Sequence, residues 1–203
     1  MKEQKYEVRK FNNRPNYHLR YNYDDGRGLK IDQDFWISRS TAVDAIILAY
    51  TDDGMQVLIT KRSDKMRDEA GKFGVPCGYL DYDETRHKAM IRELYEETSL
   101  YLPDYEKMII FDNNKEAIII KDNPKDSHRQ NVSHIFLTVL DFTEKMNKFP
   151  SNIQNYHCKE TAEVIWLMLD KFYKNYIDFN WAFHHDDAIK NAVKFFNENF
   201  KRK

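Results

Sequence analysis

Between Gly78 and Leu100 the chain reads GYLDYDETRHKAMIRELYEETSL, and the placement of its acids constrains both a helix and the use of that helix's faces. At about 100° per residue, Glu93, Glu96 and Glu97 of a helix over residues 84–98 share one narrow arc, with Arg86 beside them. Ile91, Leu94, Tyr95 and Thr98 fall opposite, where a helix needs apolar or small groups to pack on a sheet. The expected element is amphipathic, with one face for burial and one that is acidic.

Carboxylates held that close raise each other's proton affinity unless a cation sits among them. A set of oxygen donors selects a hard divalent ion, magnesium, manganese or calcium, and magnesium uses few protein carboxylates plus water and substrate phosphates. An isolated ELYEE string is more often a solvated helix face. Gly78 and Glu84, at fixed offsets ahead of it, change that weighing.

Together these residues resemble the box of the Nudix hydrolases: Gly, five residues, Glu, seven residues, then Arg-Glu-aliphatic-any-Glu-Glu-any-Gly-aliphatic. The chain matches at Gly78, Glu84, Arg92, Glu93, Leu94, Glu96, Glu97 and Leu100, a coincidence expected at roughly one start in ten million or fewer from composition. Ser99 stands where the family has glycine. A residue just past a helix commonly turns left-handed, which costs a side-chain-bearing residue about 1 kcal/mol or a little more, so the departure predicts lost stability rather than lost chemistry.

The resemblance implies an α/β (α+β) fold, a Nudix α/β/α sandwich around a mixed sheet, and hydrolysis of a diphosphate linking a nucleoside to another group with Mg2+ or Mn2+ as cofactor. Glu96 and Glu97 are then the principal metal ligands, with Glu93 a ligand or the base that takes the water proton. The Cys77 backbone carbonyl completes the shell. Arg92, four residues before Glu96, is placed to fork onto a carboxylate; as a mere surface ion pair it would contribute under about 1 kcal/mol. Glu84 is expected at the helix start, favoured by the unpaired amides there. Some relatives add a late acid before a tryptophan-bearing strand, and Glu160 in HCKETAEVIW is the positional match, with Glu163 second and solvation of the loop the plainer reading. His157 is a lone histidine, more often structural. Arg62 is a candidate for pairing with phosphate or for a structural pair. Phe183, in WAFHHDD, loosely matches a Phe-Asp-His phrase of Nudix enzymes acting on ADP-ribose or related dinucleotides, with His184 in place of aspartate. In the same run Asp186 or Asp187 reads as a helix cap.

The rest of the chain limits the alternatives. Its 203 residues suit one domain with extensions, divided here as an extension over 1–38 and a Nudix domain over 39–203. A formal net charge of -1 gives no global attraction to nucleic acid or an anionic membrane, which disfavours cleavage of capped RNA. A non-catalytic Nudix-fold nucleotide sensor is the other alternative, although every box carboxylate is present. Cys77 and Cys158 lack zinc-type spacing and read as reduced thiols. No apolar run reaches the roughly 18–20 residues of a membrane span, and the expectation is a cytoplasmic protein with a nucleotide-type small-molecule partner. Residues 1–38 look aromatic, charged and irregular, with a hairpin tip at Asp25-Gly26. That segment reads as a packing or homodimer-forming extension, an RNA-contacting arm being the lesser reading. From Thr41, TAVDAIILAY and MQVLIT flank a turn at 52–54, and EKMIIFD, EAIIIKD, NVSHIFLTVLDF and AEVIWLML continue the strand pattern. Leu169 to Ile177 reads as a short helix. Asp186 to Phe200 reads as a longer one with Ala188, Ile189, Ala192, Val193 and Phe196 on one face.

Overall fold

Residues 8–11, 14–24, 26, 30–36, 40–81, 84–122, 131–143, 148–153, 158–175 and 178–200 are described by the structure, a computed structural model of the chain. The chain divides into two units, Met1–Ser40 and Thr41–Lys203.

In the first unit, β1 (Val8–Phe11), β2 (Arg14–Asp24) and β3 (Lys30–Trp36) form an antiparallel three-stranded sheet in that order. The segment is therefore not irregular. Tyr17, Leu19, Tyr21 and Tyr23 recur at every second residue, the period of a strand, between polar neighbours. The Gly26 amide donates to Asp24 Oδ1 at 2.8 Å beside the β2–β3 reversal, while Asp25 lies outside the described residues.

The second unit is organised by two long apolar strands, β4 (Thr41–Thr51) and β5 (Gly54–Arg62), joined as a hairpin closed by the pair Thr51↔Gly54. Gly54 takes φ 120°, a conformation open to glycine. Then follow β6 (Phe73–Gly74), β7 (Cys77–Tyr79), α1 (Arg86–Thr98), a 3-10 helix over Leu102–Met108, β8 (Ile109–Phe111), a short 3-10 turn at Asn113–Lys115, β9 (Ile119–Asp122), β10 (Val132–Asp141), β11 (Thr161–Met168), α2 (Leu169–Asn175) and α3 (His185–Asn199). The main sheet has the order β11-β5-β4-β10-β8, with β6 on β5, β7 on β4 and β9 on β10. β4 and β10 run parallel and the remaining pairs antiparallel, so the sheet is mixed.

Alternation along β4 sends its side chains to two cores. Val43, Ala45, Ile47 and Ala49 pack with Ala89, Met90 and Leu94 of α1. Ile46 and Leu48 pack with Leu169 and Phe172 of α2 and with Ala188, Ile189, Ala192, Val193 and Phe196 of α3. The five α3 residues are those the sequence placed on one face. Each fully buried Leu, Met or Phe side chain contributes on the order of 1.5–3 kcal/mol. Helices on both faces of a mixed sheet make an α/β/α sandwich. Among the described residues no helix is long and apolar enough to cross a membrane.

Several local expectations are corrected. α1 begins at Arg86 rather than 84, because Thr85 is the N-cap and accepts from the Lys88 amide at 3.3 Å. On its buried side Leu94 and Thr98 are joined by Ala89 and Met90, whereas Tyr95 is 37 % exposed and meets Tyr101 edge-on at 5.6 Å. Arg86 leaves the acidic arc, with Nη1 3.4 Å from His134 Nδ1 on β10. α3 begins at His185 with His184 as N-cap and no side-chain cap bond; Asp186 and Asp187 occupy the first turn. Asp186 is held there by Lys190 Nζ at 3.1 Å. α2 ends at Asn175, and residues 176–177 lie outside the described set.

Candidate active site

The pairing of β7 with β4 sets Val43 opposite Gly78 and Asp44 opposite Cys77, so Gly78 faces α1 and its neighbour faces the other core. A Cβ at Gly78 would collide with the Glu93 carboxylate. Only a residue without a side chain lets the helix bring that acid against the strand.

Arg92 gathers the box around itself. Its Nε and Nη2 fork onto Glu84 at 3.2 and 2.6 Å, Nη1 donates to Glu93 at 2.7 Å and to Glu96 at 3.2 Å, and Nη2 also donates to the Tyr79 carbonyl at 2.9 Å. The Arg92–Glu96 pair expected from sequence is present, but Glu84 is the main partner. Glu84 precedes the N-cap and is not a helix-dipole residue. Its Oε1 accepts from the Asp81 amide at 2.8 Å, tying the strand-to-helix loop to the guanidinium, which holds the carboxyl below its ordinary range. Those hydrogen bonds push Arg92 further toward its charged form.

Glu97 is 5 % exposed and belongs to the buried side of α1, not to a solvated face. Burial first, then the neighbouring Glu93, raises it to about 8, with Arg62 and the Cys77 amide opposing. Burial also raises Glu93, against Arg92. Glu93, Glu96 and Glu97 line one pocket of about 260 Å³ with Cys77, Gly78, Tyr79, Asp81, Cys158 and Glu160. That volume lies just below the roughly 300–1,000 Å³ of ordinary small-molecule sites. Among the described residues, the groups of three or more metal-type donors within 4.8 Å of one another lie elsewhere. In the box, Arg92 pairs with Glu93 and Glu96 and stands where a cation is needed.

The NUDIX domain family matches residues 40–188. The chain belongs to the Nudix family. No curated protein matches it in sequence. Among solved structures it is similar to the NUDIX domain of Shewanella oneidensis NrtR complexed with ADP ribose, at 20 % identity and TM-score 0.60 over 86 % of this chain and 94 % of that one. It is also similar to a bifunctional NMN adenylyltransferase/ADP ribose pyrophosphatase from Francisella tularensis complexed with AMP and a Mn ion, at 24 % identity and TM-score 0.59, covering 78 % of this chain and 42 % of that one. A mutT/nudix family protein from Listeria innocua gives 24 % identity and TM-score 0.55 over 79 % and 96 %. At these identities the likeness shows the fold, a Nudix α/β/α sandwich.

The remaining candidates of this Nudix protein divide. Glu160 reaches the pocket, its carbonyl accepting from the Ser63 amide at 2.7 Å, whereas Glu163 pairs with Lys61 at 3.1 Å on the surface. Arg62 and Phe183 are brought together, the guanidinium carbon 5.1 Å from the ring centroid. Arg62 Nε and Nη2 also donate to the Asp68 carbonyl at 3.3 and 3.2 Å, so its structural role is real. Neither lines the acidic pocket. His157 lies outside the described residues. Sequence reasoning missed Tyr79, Asp81 and Cys158 in the pocket wall. The first two sit inside the box at positions where any residue is allowed, and Cys158 had no signal beyond lying two residues before Glu160.

Proposed function

We propose that this Nudix protein is a divalent-metal-dependent pyrophosphohydrolase that cuts a diphosphate linking a nucleoside to another group, with ADP-ribose or a related dinucleotide as substrate. The observation that carries this reading is the set of box residues around one pocket: Gly78 clears the space for Glu93, Arg92 clamps Glu84, Glu93 and Glu96, and Glu97 and Glu160 add further carboxylates to the lining. The donor set fits Mg2+ or Mn2+, because acids whose proton affinity is raised gain most from a cation.

Glu96, Glu97, Glu160 and the Cys77 carbonyl are assigned to hold the ion. Such an ion would supply charge neutralisation to a diphosphate and would make water a better nucleophile at neutral pH. Arg92 fixes Glu93 and Glu96 in place, and Glu84 fixes Arg92. Glu93 is either a further ligand or the group that takes the water proton. The exposed ring of Phe183 with Arg62 upon it offers a face for a base and a cation for phosphate. ADP-ribose is favoured as the trial compound because it is the ligand of the NrtR domain and the substrate named for the Francisella enzyme.

The test is incubation with ADP-ribose and Mg2+ in isotopically labelled water, followed by product masses. AMP and ribose 5-phosphate are expected, one carrying solvent oxygen, with turnover lost on chelation. Full activity after metal removal verified by elemental analysis overturns the metal assignment. Tight binding without cleavage across a panel of nucleoside diphosphate derivatives overturns the enzyme reading. Cleavage of another diphosphate alone replaces the substrate and keeps the chemistry.

A further inference from the structure

Cys77 belongs to two environments. Its main chain borders the acidic pocket, but the register that opposes it to Asp44 turns its side chain to the other face of the sheet, the face covered by α3. There the first residue of α3, His185, comes up against the same pair. An oxygen of Asp44, the sulfur of Cys77 and a ring nitrogen of His185 all lie within 4.8 Å of one another. Asp44 is 5 % exposed and His185 4 %.

We propose that Asp44, Cys77 and His185 form a transition-metal site of zinc type, distinct from the magnesium-type pocket on the opposite face. One thiolate, one imidazole and one carboxylate are the donor types that zinc accepts, with a fourth position left for water, whereas magnesium prefers oxygen alone. Bond lengths of about 2.0–2.3 Å place tetrahedral ligands about 3.5 Å apart, so the cluster closes by roughly an ångström of side-chain rotation. On loading, the thiol proton goes to solvent and the two negative ligands balance the divalent charge. Lys121, acting on Asp44 and His185, and Arg62, acting on Cys77 and His185, favour the proton loss that loading requires, while their charge repels the incoming cation.

His185 has a prior engagement, and it supplies a second readout. Its Nδ1 accepts from the buried Val75 amide at 3.1 Å. A neutral imidazole has one lone pair to give, so metal binding takes the acceptor from Val75. Gly74 leaves the ring its room, since a Cβ there would lie 2.7 Å from Nδ1. The Val75 amide, two residues before Cys77, is thereby coupled to the strand whose carbonyl borders the acidic pocket.

Titration of the metal-free full chain with Co2+ in excess Mg2+ tests the site without recourse to turnover. The expected result is a saturable cobalt–thiolate absorption at one equivalent, with visible bands of a four-coordinate ion and faster exchange of the Val75 amide. Cys77→Ser abolishes the thiolate band, and Asp44→Asn weakens Co2+ binding at least about tenfold. Cys158→Ser and Glu97→Gln leave the band in place, which separates this site from the acidic pocket. Absence of a thiolate band in the wild type overturns the proposal, as does loss of the band in Cys158→Ser with retention in Cys77→Ser. Should a variant fail to fold, X-ray absorption of the zinc-loaded wild type decides, since a first shell without sulfur near 2.3 Å sinks the assignment.

Discussion

Gly78 shows how one residue's lack of a side chain is a requirement of the site. Alanine there meets the Glu93 carboxylate, and the small strand β7 offers no slack because it is paired to β4 on one side. Gly78→Ala is therefore expected to keep the fold, seen in an unchanged circular dichroism spectrum, while turnover falls by two orders of magnitude or more, roughly the effect of misplacing a reacting group by an ångström. Glu97 gives the complementary case. Its glutamine variant preserves shape but removes a charged ligand from a buried position, so turnover on a verified substrate drops by orders of magnitude. Lys88→Gln, on the same helix but outside the pocket, is the control, and wild-type rates in both variants would show that the acidic face is not the site.

Helix α1 is where element-scale logic is most visible. Thr85 starts it, Leu94 and Met90 anchor it, and Ser99 ends it in a left-handed conformation, φ 61° and ψ 11°, with its amide donating to the Tyr95 carbonyl at 2.7 Å. Such a C-terminal position favours glycine because any Cβ crowds the neighbouring carbonyl. Ser99→Gly is expected to stabilise the protein by about 1 kcal/mol, measured as a higher urea midpoint at constant m value. Turnover is expected to stay the same, since the cap lies beyond the carboxylates. A lower midpoint would mean that the serine contributes more through its own contacts than its backbone conformation costs.

At the scale of the whole molecule, burying acids on both faces of the sheet makes stability depend on pH. Glu97 is raised from 4.5 to about 8 and Asp44 from 3.8 to about 7, each chiefly by burial. Between those limits the folded chain binds more protons than the unfolded one, so stability is fully present below the unfolded values and is lost as pH rises through the folded ones. His185, lowered from 6.5 to about 3 by burial, acts oppositely: its contribution is present above 6.5 and is lost as pH falls toward 3. Glu84, lowered by Arg92, also weakens the fold in acid. The two raised acids outweigh one histidine above pH 4.5, so the unfolding free energy of the metal-free protein is expected to decline from roughly pH 5 to 8. Each such group contributes at most about 1.4 kcal/mol per unit. Urea unfolding across that range checks it, and Glu97→Gln is expected to flatten the slope. A rising profile in metal-free protein would contradict the burial of these acids.

The sequence by itself determined what is local and periodic. The box spacing carried the resemblance to the family and with it the sandwich, the strand runs and the α3 stripe marked its elements, and Ser99 announced its strained cap, because these signals depend on residue order alone. It misread Tyr95 and Arg86, since a helical wheel gives angles but not which neighbouring strand stands at each. Only the tertiary structure decided that Glu84 serves Arg92 rather than the helix end, that Glu97 is buried, and that Glu160 rather than Glu163 reaches the pocket. It alone set His185 against Asp44 and Cys77, 141 and 108 positions distant along the chain by subtraction of their numbers. Those outcomes depend on strand register and on one missing Cβ, and contacts between segments so far apart leave no period in the sequence to read.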